Sequence, residues 1–249
     1  MSLAPGTYPD LPPGLDPLYI HIYEVALPML VTRQNDLHAR VGCQFTVEFL
    51  QSEGGDPRIA VPAILLHDLG WNEIPEEEQR RAYGPNSSDA RLNRLHEQAG
   101  ARLARQVLES VGYDATLIDE ICRIIDGHDS RPTAASIEEA IVKDSDKVWR
   151  VSQEGFPASL RMLGDMAPQQ LHDFIAVRVP IWFLTAAGRE MALRQLADRR
   201  EQYGLEPPPD IPPPAGYGIG DVEEYDAVEN GAAGGGVADG VAATDEIPR

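Results

Sequence analysis

The stretch Ala63-Ile64-Leu65-Leu66-His67-Asp68-Leu69-Gly70 decides how the rest of the chain is read. Residues 59–66 form a dense apolar run without period-two alternation, which reads as a buried helix. Gly70 reads as its C-terminal breaker, because glycine takes the left-handed conformation there without strain. Adjacent helical residues project roughly 100° apart. His67 and Asp68 therefore serve one site only over the helix end, unless Asp68 leans across to a second ion. An imidazole and a carboxylate in such a setting are costly to bury unless they are paired or hold a metal.

Working outward, helical spacing continues on both sides. Asp16-Pro17 suits an N-cap and first helical position for a helix over 18–30, with a break near Pro28. Asp36 is expected to cap a helix through Leu50, with Val41, Phe45 and Phe49 on one face and Gly54-Gly55 as the stop. Ser88 or Asp89 opens a long amphipathic helix through Leu92, His96, Leu103 and Val107, ending before Gly112. Asp114 caps the next, which ends at Gly127. Ser136-Ile137-Glu138-Glu139 has the capping-box pattern for a helix to about Val151. Two more helices are expected over 169–183, interrupted at Pro180, and over 185–203. The fold class is all-α, a helical bundle spanning 17–204 after a flexible segment 1–16. From 205 to 249 the chain reads Pro207-Pro208-Pro209, Pro212-Pro213-Pro214 and then an acidic Gly/Ala-rich run. That tail buries too little apolar surface to offset its ordering entropy and is expected to be disordered.

Composition narrows the function classes. A hydrophobic fraction of 43% suits a globular core, and no window of 18 apolar residues suggests a membrane-spanning helix. The N-terminus lacks the basic start and apolar run of a secretory signal. Cys43 and Cys122 are too few for a disulfide framework or a cysteine metal knuckle and read as core residues of a cytoplasmic protein. A net charge of -19 argues against a nucleic-acid polymer as partner. A small anionic substrate remains compatible, because bound cations dominate a local field. Lys143 and Lys147 are the only lysines. Either genomic composition accounts for that, or the pair helps form the site beside Asp144 and Asp146.

Of the six histidines, His38, His67, His96 and His128 lie on or at the ends of successive predicted helices, beside apolar positions. A lone buried histidine is usually a hydrogen-bonded core residue. Four on consecutive elements, one followed directly by aspartate, read as metal ligands together with an aspartate from Lys143-Asp144-Ser145-Asp146-Lys147. Asp144 and Asp146 project about 200° apart, so only one faces the site. Asp146 shares a face with Val142 and Trp149, Asp144 with Ile141 and Val148, and periodicity does not decide between them. His21 reads as a core or surface residue and His172 as structural. Imidazole and carboxylate without thiolate suit one or two ions of Mn, Fe, Co, Ni or Zn.

The ordered set resembles the HD superfamily of metal-dependent phosphohydrolases, which carry an H…HD…D ligand order on a helical bundle. The resemblance covers residues 36–151, including 63–70 and 141–148. It implies that His38, His67, Asp68 and Asp146 hold one ion, Asp146 being chosen because it directly precedes a basic residue. Asp144 is then a supporting or surface carboxylate. In two-ion members, residues matching His96 and His128 hold the second ion and the one matching Asp68 bridges. The implied activity is hydrolysis of a phosphomonoester or phosphodiester, nucleotides included, by metal-activated water. Asp68, Lys147 and Arg91 are the candidate catalytic or phosphate-contacting residues, with Arg94 beside Arg91, and Asp126 and Asp129 are candidates to orient His128. Two departures concern the substrate: Trp71 stands where nucleotide-cleaving relatives often carry an acid and where cyclic-dinucleotide-cleaving relatives carry lysine. Two rivals share the ligand set. One is an HD-type di-iron oxygenase, as in inositol- and phosphonate-cleaving members. The other is a non-catalytic metal-bound sensor or scaffold whose acidic tail recruits a partner.

Overall fold

Helix starts in this protein are fixed by side chains that accept the first free backbone N–H groups. Asp16 accepts from Leu18 N at 2.8 Å and Pro17 follows, giving α1 (Pro17–Ala26), which tightens into a 3-10 turn (Leu27–Met29) at Pro28. Asp56 caps α3 (Pro57–Leu66), Asp114 caps α6 (Ala115–Ile125), Ser136 caps α7 (Ile137–Trp149) and Thr185 caps α11 (Ala186–Tyr203). The remaining helices are α2 (Asn35–Glu53), α4 (Glu76–Gln79), α5 (Arg91–Ser110), α8 (Gly155–Leu163), α9 (Pro168–Ala176) and α10 (Val179–Trp182). This computed structural model describes residue 8 and residues 11–82, 89–164 and 166–212, and among them there is no strand. Most of the acidic tail, most of the N-terminal segment and Ser88 lie outside the described residues. The described part of the tail, 205–212, has no regular structure. No helix among the described residues is long and apolar enough to cross a membrane.

Several local expectations are corrected. Asp36 does not cap α2; it sits in the first turn, and the helix starts from Gln34, whose φ of 60° follows a φ of 55° at Arg33. Left-handed backbone costs a non-glycine residue roughly 1–2 kcal/mol, so this pair is held in place by its surroundings. The box at Ser136 is half formed. Its hydroxyl accepts from Glu139 N, but the Glu139 carboxylate turns to Ala135 N and Arg123. The segment 169–183 splits into α9 and α10, and α8 carried no capping residue that would have announced it.

Gly70 does not end α3 in the left-handed region. It lies inside a 3-10 turn (Leu69–Glu73) with ordinary φ, and a Cβ there would fall 1.9 Å from the carbonyl oxygen of His96. Gly100 answers it across the same contact, where a Cβ would fall 2.9 Å from His67 O. Two glycines thus bring the backbone of α5 against the loop after α3.

Two apolar cores flank this junction. One joins α1, α3, α5 and α6, with Ile22, Tyr23, Ile64, Leu65, Leu108 and Ile121 fully buried. The other joins α2 with α7 to α11, around Phe49, Ile141, Phe156, Leu171 and Trp182. Both α2 and α7 contribute to each core: Ala39, Cys43 and Val142 on one side, Val41, Phe45 and Trp149 on the other. Cys43 is an inert core residue, burial pushing its thiol up to about 12.

Replacing Gly70 by alanine drives a methyl into the α5 backbone, an overpacking that costs about 3 kcal/mol or more. Chemical denaturation of Gly70→Ala should show that loss; an unchanged midpoint would mean that α5 does not approach the loop so closely.

Candidate metal centre

Five elements deliver the side chains. His38 lies in the first turns of α2, His67 caps the C-terminal end of α3 with Asp68 next, His96 lies in the second turn of α5, and Asp146 lies on α7. His128 follows α6 in a turn opened by Gly127, whose φ is 128°. Three of the rings are aimed by their own helices: His67 Nδ1 donates to Ile64 O at 2.7 Å, His128 Nδ1 to Ile125 O at 2.8 Å and His96 Nδ1 to Leu92 O at 3.3 Å. That pattern leaves each Nε2 facing inward, and it is how metal-binding imidazoles are commonly oriented.

Asp68 sits at the centre and its two oxygens face different groups. Oδ2 lies 3.1 Å from His38 Nδ1 and 3.6 Å from His67 Nε2. Oδ1 lies 3.6 Å from His128 Nε2 and 3.7 Å from His96 Nε2, and accepts from Trp71 Nε1 at 3.1 Å. Asp146 Oδ1 completes the first group, 3.3 Å from His38 Nε2 and 3.7 Å from His67 Nε2. In the second group His96 Nε2 and His128 Nε2 approach to 3.2 Å. Within His38, His67 and Asp68, and again within Asp68, His96 and His128, one donor atom from each lies within 4.8 Å of the others.

All six expected residues are therefore brought together and buried. So is a seventh. Asp129 Oδ2 stands 3.7 Å from His96 Nε2 and 3.8 Å from His128 Nε2. The second His-Asp dipeptide, His128-Asp129, was its signal in the sequence. Asp126 turns away instead, to Arg94. Asp129 is set by Glu97, a fully buried residue that sequence reading overlooked; its carboxylate accepts from Asp129 N at 2.8 Å and Ser130 N at 2.7 Å. Lys143 Nζ fastens the same loop through Gly127 O, His128 O and Arg131 O, and burial lowers it to about 7. Trp149 stacks on His38 and Trp71 on His96, with ring centroids 5.0 and 4.1 Å apart.

The charged candidates are placed as follows. Lys147 is buried, with Nζ 3.4 Å from Asp146 Oδ2 and 3.6 Å from Asp129 Oδ1. Arg150 donates to Asp146 Oδ1 at 3.0 Å. Arg91 is not brought to the cluster: its side chain is 70% exposed and forks onto Asp89. Arg94 pairs with Glu97 and Asp126. Asp144 is neither a surface group nor part of the cluster. It faces the other way, accepting from Leu184 N, Thr185 N and Thr185 Oγ1, and so ties the start of α11 to α7; burial raises it to about 6. His21 is exposed and His172 is buried on α9 beside Asp173.

The electrostatics fit a cation. Burial opposes ionisation of Asp68 and Asp146, but neighbouring imidazoles and, for Asp146, Arg150 and Lys147 hold both well below the usual carboxylate range. Buried His38 Nε2, His67 Nε2 and Asp129 Oδ1 have no hydrogen-bond partner. Such unmet atoms cost about 1–3 kcal/mol each, and a divalent ion among nitrogen and oxygen donors would satisfy them. A cavity of about 400 Å³ opens onto this cluster, lined in part by His38, Asp68 and Asp129.

Without metal the cluster draws in a proton. Burial disfavours the charged form of His128, yet Asp68, Asp129 and Glu97 raise it to about 9, whereas burial and the adjacent His128 lower His96 to about 4. Against an unfolded value of about 6.5, the His128 shift contributes stability that is complete below that pH and is lost as pH rises through about 9. A cation must displace this proton. Calorimetric metal titrations near neutral pH, run in buffers of different ionisation enthalpy, should report proton release. A buffer-independent heat would mean that His128 carries no proton to give up.

Residues 36–150 match the family model of the HD domain. No curated protein and no solved structure matches the chain. The matched span begins just before His38 and ends about one turn after Asp146, so it encloses the whole cluster. With its paired histidine and aspartate groups on an all-helical frame, the chain carries an HD domain across residues 36–150.

Proposed function

We propose that this protein is a metal-dependent phosphohydrolase acting on a phosphomonoester or phosphodiester of a small substrate, nucleotides included. One observation carries the reading: a single buried carboxylate, Asp68, presents one oxygen to His38 and His67 and the other to His96 and His128. His38, His67, Asp68 and Asp146 would hold one divalent ion, and Asp68, His96 and His128 a second. Such ions, when bound, bring the pKa of water towards neutrality and neutralise phosphoryl oxygens.

The chain's own residues supply the rest. Asp129 lines the cavity beside the cluster and is the carboxylate placed to orient a nucleophilic water and take its proton. Lys147 and Arg150 fix Asp129 and Asp146 and limit repulsion among the buried acids. Lys147 therefore acts through those carboxylates, and Arg91 lies on Asp89, outside the lining of the cavity. Arg33, Arg80, Arg150 and Arg161 line the cavity together with Asp68, Glu76 and Asp129, so the wall would suit an anion once the acids of the cluster hold cations. That wall suits a phosphoryl anion, a substrate group that the phosphonate-cleaving oxygenase reading shares, and an ester screen separates the two.

Chelator-treated protein reloaded with Mn or Co and screened against phosphomonoesters and phosphodiesters tests the proposal. Turnover should return with metal. Asp68→Asn should lower kcat/KM by more than about 100-fold, beyond the loss expected from removing a supporting partner, and should lower metal content. A coloured, iron-loaded protein that consumes oxygen and leaves every ester intact would favour the oxygenase.

A further inference from the structure

Arg33 is a cation that the metal cluster does not use. It lies in the loop between the 3-10 turn at Pro28 and α2, in a left-handed conformation shared with Gln34. Its guanidinium carbon rests 4.0 Å from the ring centroid of Trp71. That indole is pinned in turn, stacking on His96 and donating to Asp68 Oδ1. The chain of contacts fixes Arg33 against the cluster without neutralising it. Arg33 Nη1 is shut off from solvent and has no hydrogen-bond partner, although the residue lines the cavity onto which His38, Asp68 and Asp129 face.

The other arginines of that wall are engaged or exposed. Arg150 donates to Asp146, Arg161 donates to Gln34 Oε1 at 3.3 Å, and Arg80 is exposed. A planar guanidinium with an unmet donor at Nη1, braced on an aromatic face beside the cluster, has the geometry for a tetrahedral oxyanion. The brace is Trp71, the residue that departs from the acid or lysine expected three positions after the His-Asp aspartate.

We propose that Arg33, braced on Trp71, binds non-bridging oxygens of the substrate's phosphoryl group and so determines specificity for phosphate at this cavity. The proposal rests on the phosphohydrolase reading and assigns its substrate-binding side to a loop upstream of the matched domain. Trp71 is then a positioning residue acting through Arg33.

The test uses the full chain loaded with Mn, inorganic phosphate as probe, and calorimetry as readout. Arg33→Asn is the main variant, because asparagine tolerates left-handed backbone; Arg33→Lys retains charge without the fork. Arg33→Asn should weaken phosphate binding about tenfold or more while metal content stays at the wild-type value, with Arg33→Lys in between. Phosphate affinity within about twofold of wild type in Arg33→Asn, or no phosphate binding by the metal-loaded wild type, overturns the assignment. If binding depends on Arg33 but no phosphate ester is hydrolysed, the hydrolase reading fails and the anion site stands. If esters are hydrolysed with unchanged kcat/KM in Arg33→Asn, the hydrolase reading stands and the Arg33 site fails.

Discussion

Asp68 is one carboxylate placed within reach of four imidazoles, and much of the architecture serves to keep it there. Its oxygens lie 3.1 to 3.7 Å from His38, His67, His96 and His128. Those rings come from α2, from the end of α3, from α5 and from the turn after α6. Bringing α5 this close requires that neither backbone carry a side chain at the crossing, which Gly70 and Gly100 provide. The two hydrophobic cores hold α2 and α7, each helix packing into both, and so set His38 and Asp146 beside Asp68. Packing sets the distances, and the distances set the chemistry.

Charge is balanced around the same centre. Asp68, Asp129 and Asp146 would repel one another in a dry interior. Lys147 and Arg150 reach between Asp129 and Asp146, and imidazoles surround Asp68. Supporting groups extend this outward: Glu97 accepts from N–H groups of the His128-Asp129 loop and Lys143 donates to its carbonyls. A cluster so furnished still leaves two imidazole nitrogens and one carboxylate oxygen unsatisfied. A divalent ion held among them would satisfy those atoms, beside a cavity of about 400 Å³.

Much of this was legible in the sequence because it depends on local chemistry. Asp16-Pro17, Asp114, Ser136 and Thr185 mark helix starts through side-chain oxygens that accept from nearby N–H groups. The ordered histidines and aspartates could be read because their spacing matches successive helices. What could not be read depends on tertiary contact. Gly70 looked like a helix stop, but its role is steric, against a backbone carbonyl some 26 residues later. Asp144 and Asp146 occupy equally apolar faces of α7, so only the partners on α11 and α2 tell them apart. Arg33 and Gln34 take left-handed backbone without glycine, so nothing local announced the turn. Arg91 looked close to His96 in sequence, yet the start of α5 turns it to Asp89 and solvent.

The central claim is that one carboxylate separates two cation positions. Crystals of metal-loaded protein, measured at the absorption edge of the bound element, address it directly through anomalous scattering. The account predicts two peaks, one on each side of Asp68, the first beside His38, His67 and Asp146 and the second beside His96 and His128. A single peak away from Asp68, or none within reach of these side chains, would contradict it.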